Sequence, residues 1–172
     1  MSKIICEVSL NGFFFNELMS LNMALSNPVS QELIYYGSNV MSDLSKSEKF
    51  FDLSEGKIRN KSLGEKLLAS ESMKETAKVR ELKDIGDTSL IVCSVFEDSF
   101  NPKIIDCTYY IDLGKIAYEK LNNLIPHAFD VEDFYLLLSE HVHKLIQIMK
   151  VAGQNFLNHD ENNFILNLNK AS

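Results

Sequence analysis

Cysteine is scarce, basic side chains are outnumbered and long apolar runs are missing, and each shortage narrows what this chain can be. Cys6, Cys93 and Cys107 are too few and too dispersed for a disulfide framework or a zinc knuckle. Free thiols in a reducing cytoplasm are the expectation. No stretch approaches the roughly 20 consecutive apolar residues of a membrane span, so no membrane is expected as a partner. Behind Met1-Ser2-Lys3, the apolar run from Ile4 to Leu10 is broken by Glu7 and Ser9, which argues against a secretory core. A net charge of −7 forfeits the counterion release that drives binding to a polyanion, so DNA is not expected either.

Chemical signatures are missing too. His141 and His143 are two residues apart, and on a helix that spacing points them to opposite sides, away from a shared metal. His159-Asp160-Glu161 sits in an Asn-rich stretch that reads as a solvated loop, and His127 follows Pro126 in a turn or cap role. Asp87, Glu97 and Asp98 are spaced like the acids of some metal-dependent nucleases, but the completing lysine is absent. Gly56-Lys57 and Gly64-Glu65-Lys66 lack the Walker arrangement. No catalytic residue, metal ligand or cofactor is assigned.

What is present is a chain of 172 residues, 45% hydrophobic and 24% charged, which fits one domain spanning 1–172. No internal repeat, low-complexity tract or linker divides it. Its charge is uneven: residues 1–44 carry one basic and four acidic side chains, 45–87 carry ten and nine, and 88–172 carry six and eleven.

Leu10, Phe14, Leu18, Leu21 and Leu25 recur at helical steps, and Asn27-Pro28 ends that helix and opens a second. Leu33, Tyr36, Gly37, Val40 and Leu44 form the second buried face, so the two should pack as a helical hairpin. Ser45 to Glu48 has capping-box spacing and predicts a turn of helix carrying Phe50 and Phe51. Ser54 to Ser62 reads as an exposed basic loop, and Ser62 opens a helix to about Lys74. Thr76 to Ile85 fits either a helix ending at Gly86 or a strand, and the strand is favoured. Leu90 to Phe96 and Ile104 to Ile111 are β-branched and aromatic, with Asp98 to Pro102 as a turn. A symmetric register sets Glu97 against Lys103 and Cys93 against Cys107, as buried, inert thiols within disulfide range. Leu113 to Leu124 predicts a helix. A long last helix near 131–157 is expected, with Asp130, Glu132 and Asp133 in its first turn. After a polar break at Asn158 to Asn163, the chain is expected to return as a strand.

The expected fold is therefore α+β: an antiparallel sheet centred on a hairpin at 89–112, packed against an N-terminal helical hairpin and a long C-terminal helix. The expected function is a non-enzymatic interaction module, such as an inhibitor, immunity protein, chaperone or assembly component. Its partner is another protein, favoured to be basic because the surface is acidic. Phe13, Phe15, Tyr35, Phe50, Phe51 and Phe100 are candidates for an apolar docking patch. Lys57, Arg59 and Lys61 are candidates for anion binding. The alternative is a small-molecule-binding or enzymatic α+β domain with a pocket between sheet and helices. A flat apolar patch with an acidic rim would favour the first, and a pocket of convergent Asp, Glu or His the second.

Overall fold

Ser9 opens the first helix, its hydroxyl accepting from the Gly12 backbone N–H at 3.1 Å, one of the donors that a helix start leaves unpaired. The computed structural model that shows this describes residues 9–43, 51–54, 57–60, 62–97 and 107–168. Helix α1 (Leu10–Met23) buries Phe14 and Leu18 and leaves Asn16 and Ser20 exposed, as the spacing predicts, whereas Leu21 is only half-buried. Leu25 falls beyond the helix end and is exposed. Helix α2 (Gln31–Ser42) starts later than Pro28 suggests, with Ser30 as its N-cap. The connection is pinned by buried Asn22, whose amide donates to the Val29 carbonyl and accepts from the Val29 N–H, both at 2.9 Å. These two bonds satisfy backbone groups that would otherwise be buried without partners, and α1 and α2 pack as the expected hairpin.

Among the described residues the expected central sheet is absent. Residues 75–94 form one helix, α4 (Glu75–Ser94), preceded by α3 (Leu63–Ser70), and the second predicted strand gives way to α5 (Cys107–Leu124). The molecule is mostly helical rather than α+β. Residues 76–85 are helical as well, against the strand reading. The reason is burial. Every residue from Ile85 to Ser94 is buried, and a helix enclosed on all sides lacks the alternation of wet and dry faces whose period separates helix from strand. The β preference of Ile and Val spans only about 1 kcal/mol and yields to packing.

Packing of α4 on α5 is the most extensive helix contact and depends on small residues. A β-carbon added at Gly86 would lie 2.4 Å from the Tyr118 ring, and one at Gly114 would lie 1.9 Å from Ser89 Oγ. Cys93 and Cys107 do come together, but across the α4–α5 junction rather than a β ladder. Cys93 Sγ lies 3.6 Å from the Cys107 carbonyl oxygen. Glu97 pairs with Lys150, and Lys103 lies outside the described residues.

Strand pairing among the described residues is confined to two short antiparallel hairpins: β1 (Phe51–Ser54) with β2 (Lys57–Asn60), and β3 (His127–Ala128) with β4 (Val131–Glu132). The first replaces the predicted helical turn at Phe51 and the basic loop at 57–60. The long last helix is divided at His141 into α6 (Phe134–Glu140) and α7 (Val142–Leu168). Asp130 and Glu132 belong to the β3–β4 hairpin and Asp133 caps α6, so none lies in a helix's first turn. Neither the polar break nor the C-terminal strand is found, because α7 runs through both. Phe156 of α7 meets Phe13 and Phe14 at ring-centroid distances of 5.6 and 5.1 Å, and Asn155 donates to Glu17 at 2.7 Å.

Gly114→Ala should destabilise the fold by about 1–3 kcal/mol, the usual cost of overpacking a tight core. Urea unfolding checks this, and a loss below about 0.5 kcal/mol would contradict the close α4–α5 approach.

Candidate functional site

The most unusual group in the core is a carboxylate. Asp87 of α4 is 2% exposed, and burying a charge is costly unless it is paired and hydrogen-bonded. Three elements meet that cost. Tyr36 of α2 and Tyr118 of α5 donate their hydroxyls to Asp87 Oδ1 at 2.5 and 3.0 Å, and Lys83, one helical turn earlier, reaches Oδ2 at 2.6 Å. The Lys83 ammonium also stands 5.1 Å from the centre of the Tyr36 ring. Tyr36 packs edge-on against Tyr118 and Tyr135, and Tyr118 stacks on Tyr135 at 6.1 Å.

Burial, reinforced by the negative charge of Asp87, pushes the Tyr36 and Tyr118 hydroxyls well above the ordinary phenol range, and Tyr135 up to about 12 for the same reasons. Phenols so far from neutrality are poor proton-transfer groups at pH 7, where general acids and bases work best with pKa values near the ambient pH. The cluster supplies hydrogen-bond donors and rigidity. Beside it lies a small pocket of about 170 Å³ lined by Tyr36, Asn39, Val40, Asp43, Lys83, Asp87 and Phe129.

Phe129 joins this core to the surface. It occupies the two-residue turn of the β3–β4 hairpin with Asp130, at φ values of 56° and 57°. Two left-handed residues in such a turn ordinarily call for Asn-Gly or Asp-Gly, and an aromatic residue there is strained. The surroundings hold it. Asp133, itself left-handed at φ 52°, donates its backbone N–H to Pro126 O at 2.8 Å, and buried Asn122 of α5 donates to the Asp133 carboxylate at 2.8 Å. The Phe129 ring backs onto Phe134 and Tyr36 at 4.8 and 5.9 Å yet remains 49% exposed.

On the outer side of Phe129 is an open groove of about 450 Å³, lined by Phe15 of α1, Gln31, Glu32 and Tyr35 of α2, and Phe129 and Asp130 of the turn. Phe15 and Tyr35 meet edge-to-face at 6.3 Å, and Tyr35 is 48% exposed. No lining residue is basic.

Of the residues singled out from the sequence, Phe15 and Tyr35 come together in this groove, whereas Phe13 is half-buried against Phe14 and Phe156. Phe51 lies on β1, and Lys57 and Arg59 lie on β2, where Arg59 faces Asp52 in the register. Phe50, Lys61 and Phe100 lie outside the described residues. His141 Nδ1 is 2.9 Å from the Leu137 carbonyl, and His143 and His127 are exposed. Among the described residues no three His, Cys, Asp or Glu side chains gather where they could hold a metal ion, and no helix is long and apolar enough to cross a membrane. Sequence reasoning missed Glu32, Phe129 and Asp130 as a group and treated Asp87 only as a nuclease acid. A lysine one helical turn before Asp87, at Lys83, was the available sign of an i,i+4 ion pair.

Asp87→Ala strands two buried hydroxyls and should cost about 2–4 kcal/mol, Tyr36→Phe about 1–2, and Asp87→Asn should fall between them. Urea unfolding ranks the three, and an Asp87→Ala loss under about 0.5 kcal/mol would remove the network as an anchor. Because Tyr36, Tyr118 and Tyr135 bind their protons more tightly folded than unfolded, their contribution is complete below about pH 10 and is lost as pH rises through the folded values. Stability should therefore fall above about pH 10, with tyrosinate absorbance appearing alongside loss of helical circular dichroism. Full ionisation of all six tyrosines in a still-folded protein near pH 10 would contradict this. Compared with known proteins, the chain matches no family model, no curated protein and no solved structure.

Proposed function

We propose that this chain is a non-enzymatic interaction module, acting as an inhibitor, immunity protein, chaperone or assembly component, that engages a basic segment of another protein. The observation that carries this reading is the groove between α1, α2 and the β3–β4 turn: three aromatic residues, two carboxylates and no basic side chain. Exposed aromatic groups supply large contact area at small entropic cost. Glu32 and Asp130 attract a partner of opposite sign and oppose one of like sign. The strained Phe129 adds weight, since an aromatic held in a costly conformation at a half-exposed tip is more easily understood as a contact group than as packing. The inner pocket of about 170 Å³ supports a small-molecule site less well. It falls below the roughly 300–1,000 Å³ usual for drug-sized ligands, and both Asp87 oxygens are already occupied by protein donors.

Backbone NMR with a short lysine- and phenylalanine-containing peptide, and with its glutamate counterpart, tests the reading. The basic peptide should shift Gln31, Glu32, Tyr35, Phe129 and Asp130, with binding weakening as salt rises, and the acidic peptide should not. Tyr35→Ala and Asp130→Asn should each reduce affinity at least several-fold. Shifts confined to other surfaces, or equal response to both peptides, would overturn it.

A further inference from the structure

Resting on the groove as a docking site, we infer that the group it recognises is a single alkylammonium, and that methylation of that ammonium strengthens its hold. Phe15, Tyr35 and Phe129 come from three separate elements to line one concavity. Ring faces carry negative quadrupole charge and attract cations, most effectively those that are weakly hydrated. Glu32 and Asp130 add two formal negative charges. The start of α2 lies at the same place, but its dipole is worth only about half a positive charge, so the groove remains net negative.

The two kinds of lining constrain the ligand together. A neutral apolar group would satisfy the rings but desolvate the carboxylates without compensation. A bare ammonium is strongly hydrated and gives up that water to ring faces that cannot replace its hydrogen bonds. A methylated ammonium offers apolar surface to the rings and diffuse charge to the carboxylates. A cation over an aromatic ring also occurs internally, where the unmethylated Lys83 ammonium, paired with Asp87, stands over Tyr36 on the inner side of the aromatic cluster that backs Phe129. Phe129 lines both concavities, so its strained backbone presents one ring at the boundary between the internal cation and the proposed external one.

The test uses the full chain and two small probes, choline and its neutral carbon isostere 3,3-dimethylbutanol, followed by aromatic-ring NMR. Choline should shift the Phe15, Tyr35 and Phe129 ring signals saturably, and the isostere should bind at least tenfold more weakly. Glu32→Gln, an exposed change that leaves the packing intact, should weaken choline several-fold without altering the response to the isostere. Tyr35→Leu, which keeps apolar volume but removes a ring, should weaken choline about tenfold. In the peptide assay, trimethylation of the lysine should tighten binding. Equal binding of choline and isostere would overturn the inference in favour of plain apolar recognition. Binding of the basic peptide at the groove with no response to choline would overturn it while leaving the docking reading standing. Absence of both responses would remove the docking reading itself.

Discussion

A carboxylate enclosed in a helical core must be neutralised on all sides, and that demand at Asp87 organises this molecule. The three donors come from α2, α4 and α5, so satisfying one side chain fixes the relative placement of three helices. Orphaning the buried partners costs far more than the net gain of any single bond, which makes the arrangement restrictive as well as stabilising. Lys83 is partly exposed and can return to water. The two phenols cannot, and they account for most of the constraint.

The same constraint reaches the surface. Tyr36 donates to Asp87 with its hydroxyl and meets Phe129 and Phe134 with its ring. The preceding residue, Tyr35, faces the other way into the groove. One turn of α2 therefore anchors the core and presents a contact group outward. Asn122 does the equivalent from α5, tying the end of that helix to Asp133 and Leu136 and so holding the strained turn in place. A groove built on such supports is preorganised, and a preorganised site loses less entropy when it binds.

The parts of the fold legible in the sequence are those where one helix face is buried and the other is wet. α1 and α2 belong there: Phe14, Leu18, Leu33, Tyr36 and Val40 recur with helical period because their opposite faces meet solvent. α4 was not legible, since Ile85 to Ser94 are enclosed on every side and no period survives. Its Gly86 and Ser89 looked like turn and strand-edge residues because their use, close approach to Tyr118 and Gly114, lies in another segment. Half of the groove was visible as surplus aromatics, in Phe15 and Tyr35. The other half was not, because Phe129 in a position suited to Asn or Gly carries no local signal of the hairpin that holds it.

By itself the sequence determined that the chain is acidic, that the described helices offer no apolar span for a membrane, and that its N-terminal segment pairs two amphipathic helices. These follow from composition and from local period, which each segment carries independently of the others. Tertiary structure alone decided that the β-branched segments at 89–94 and 107–111 are helical, that Cys93 and Cys107 meet at a helix junction, and that Asp87 is an anchor. It also brought Phe15, Glu32, Tyr35, Phe129 and Asp130 to one groove. Each of these depends on contacts between segments far apart in the chain, where propensities of about 1 kcal/mol per residue are outweighed by the burial of whole helix faces.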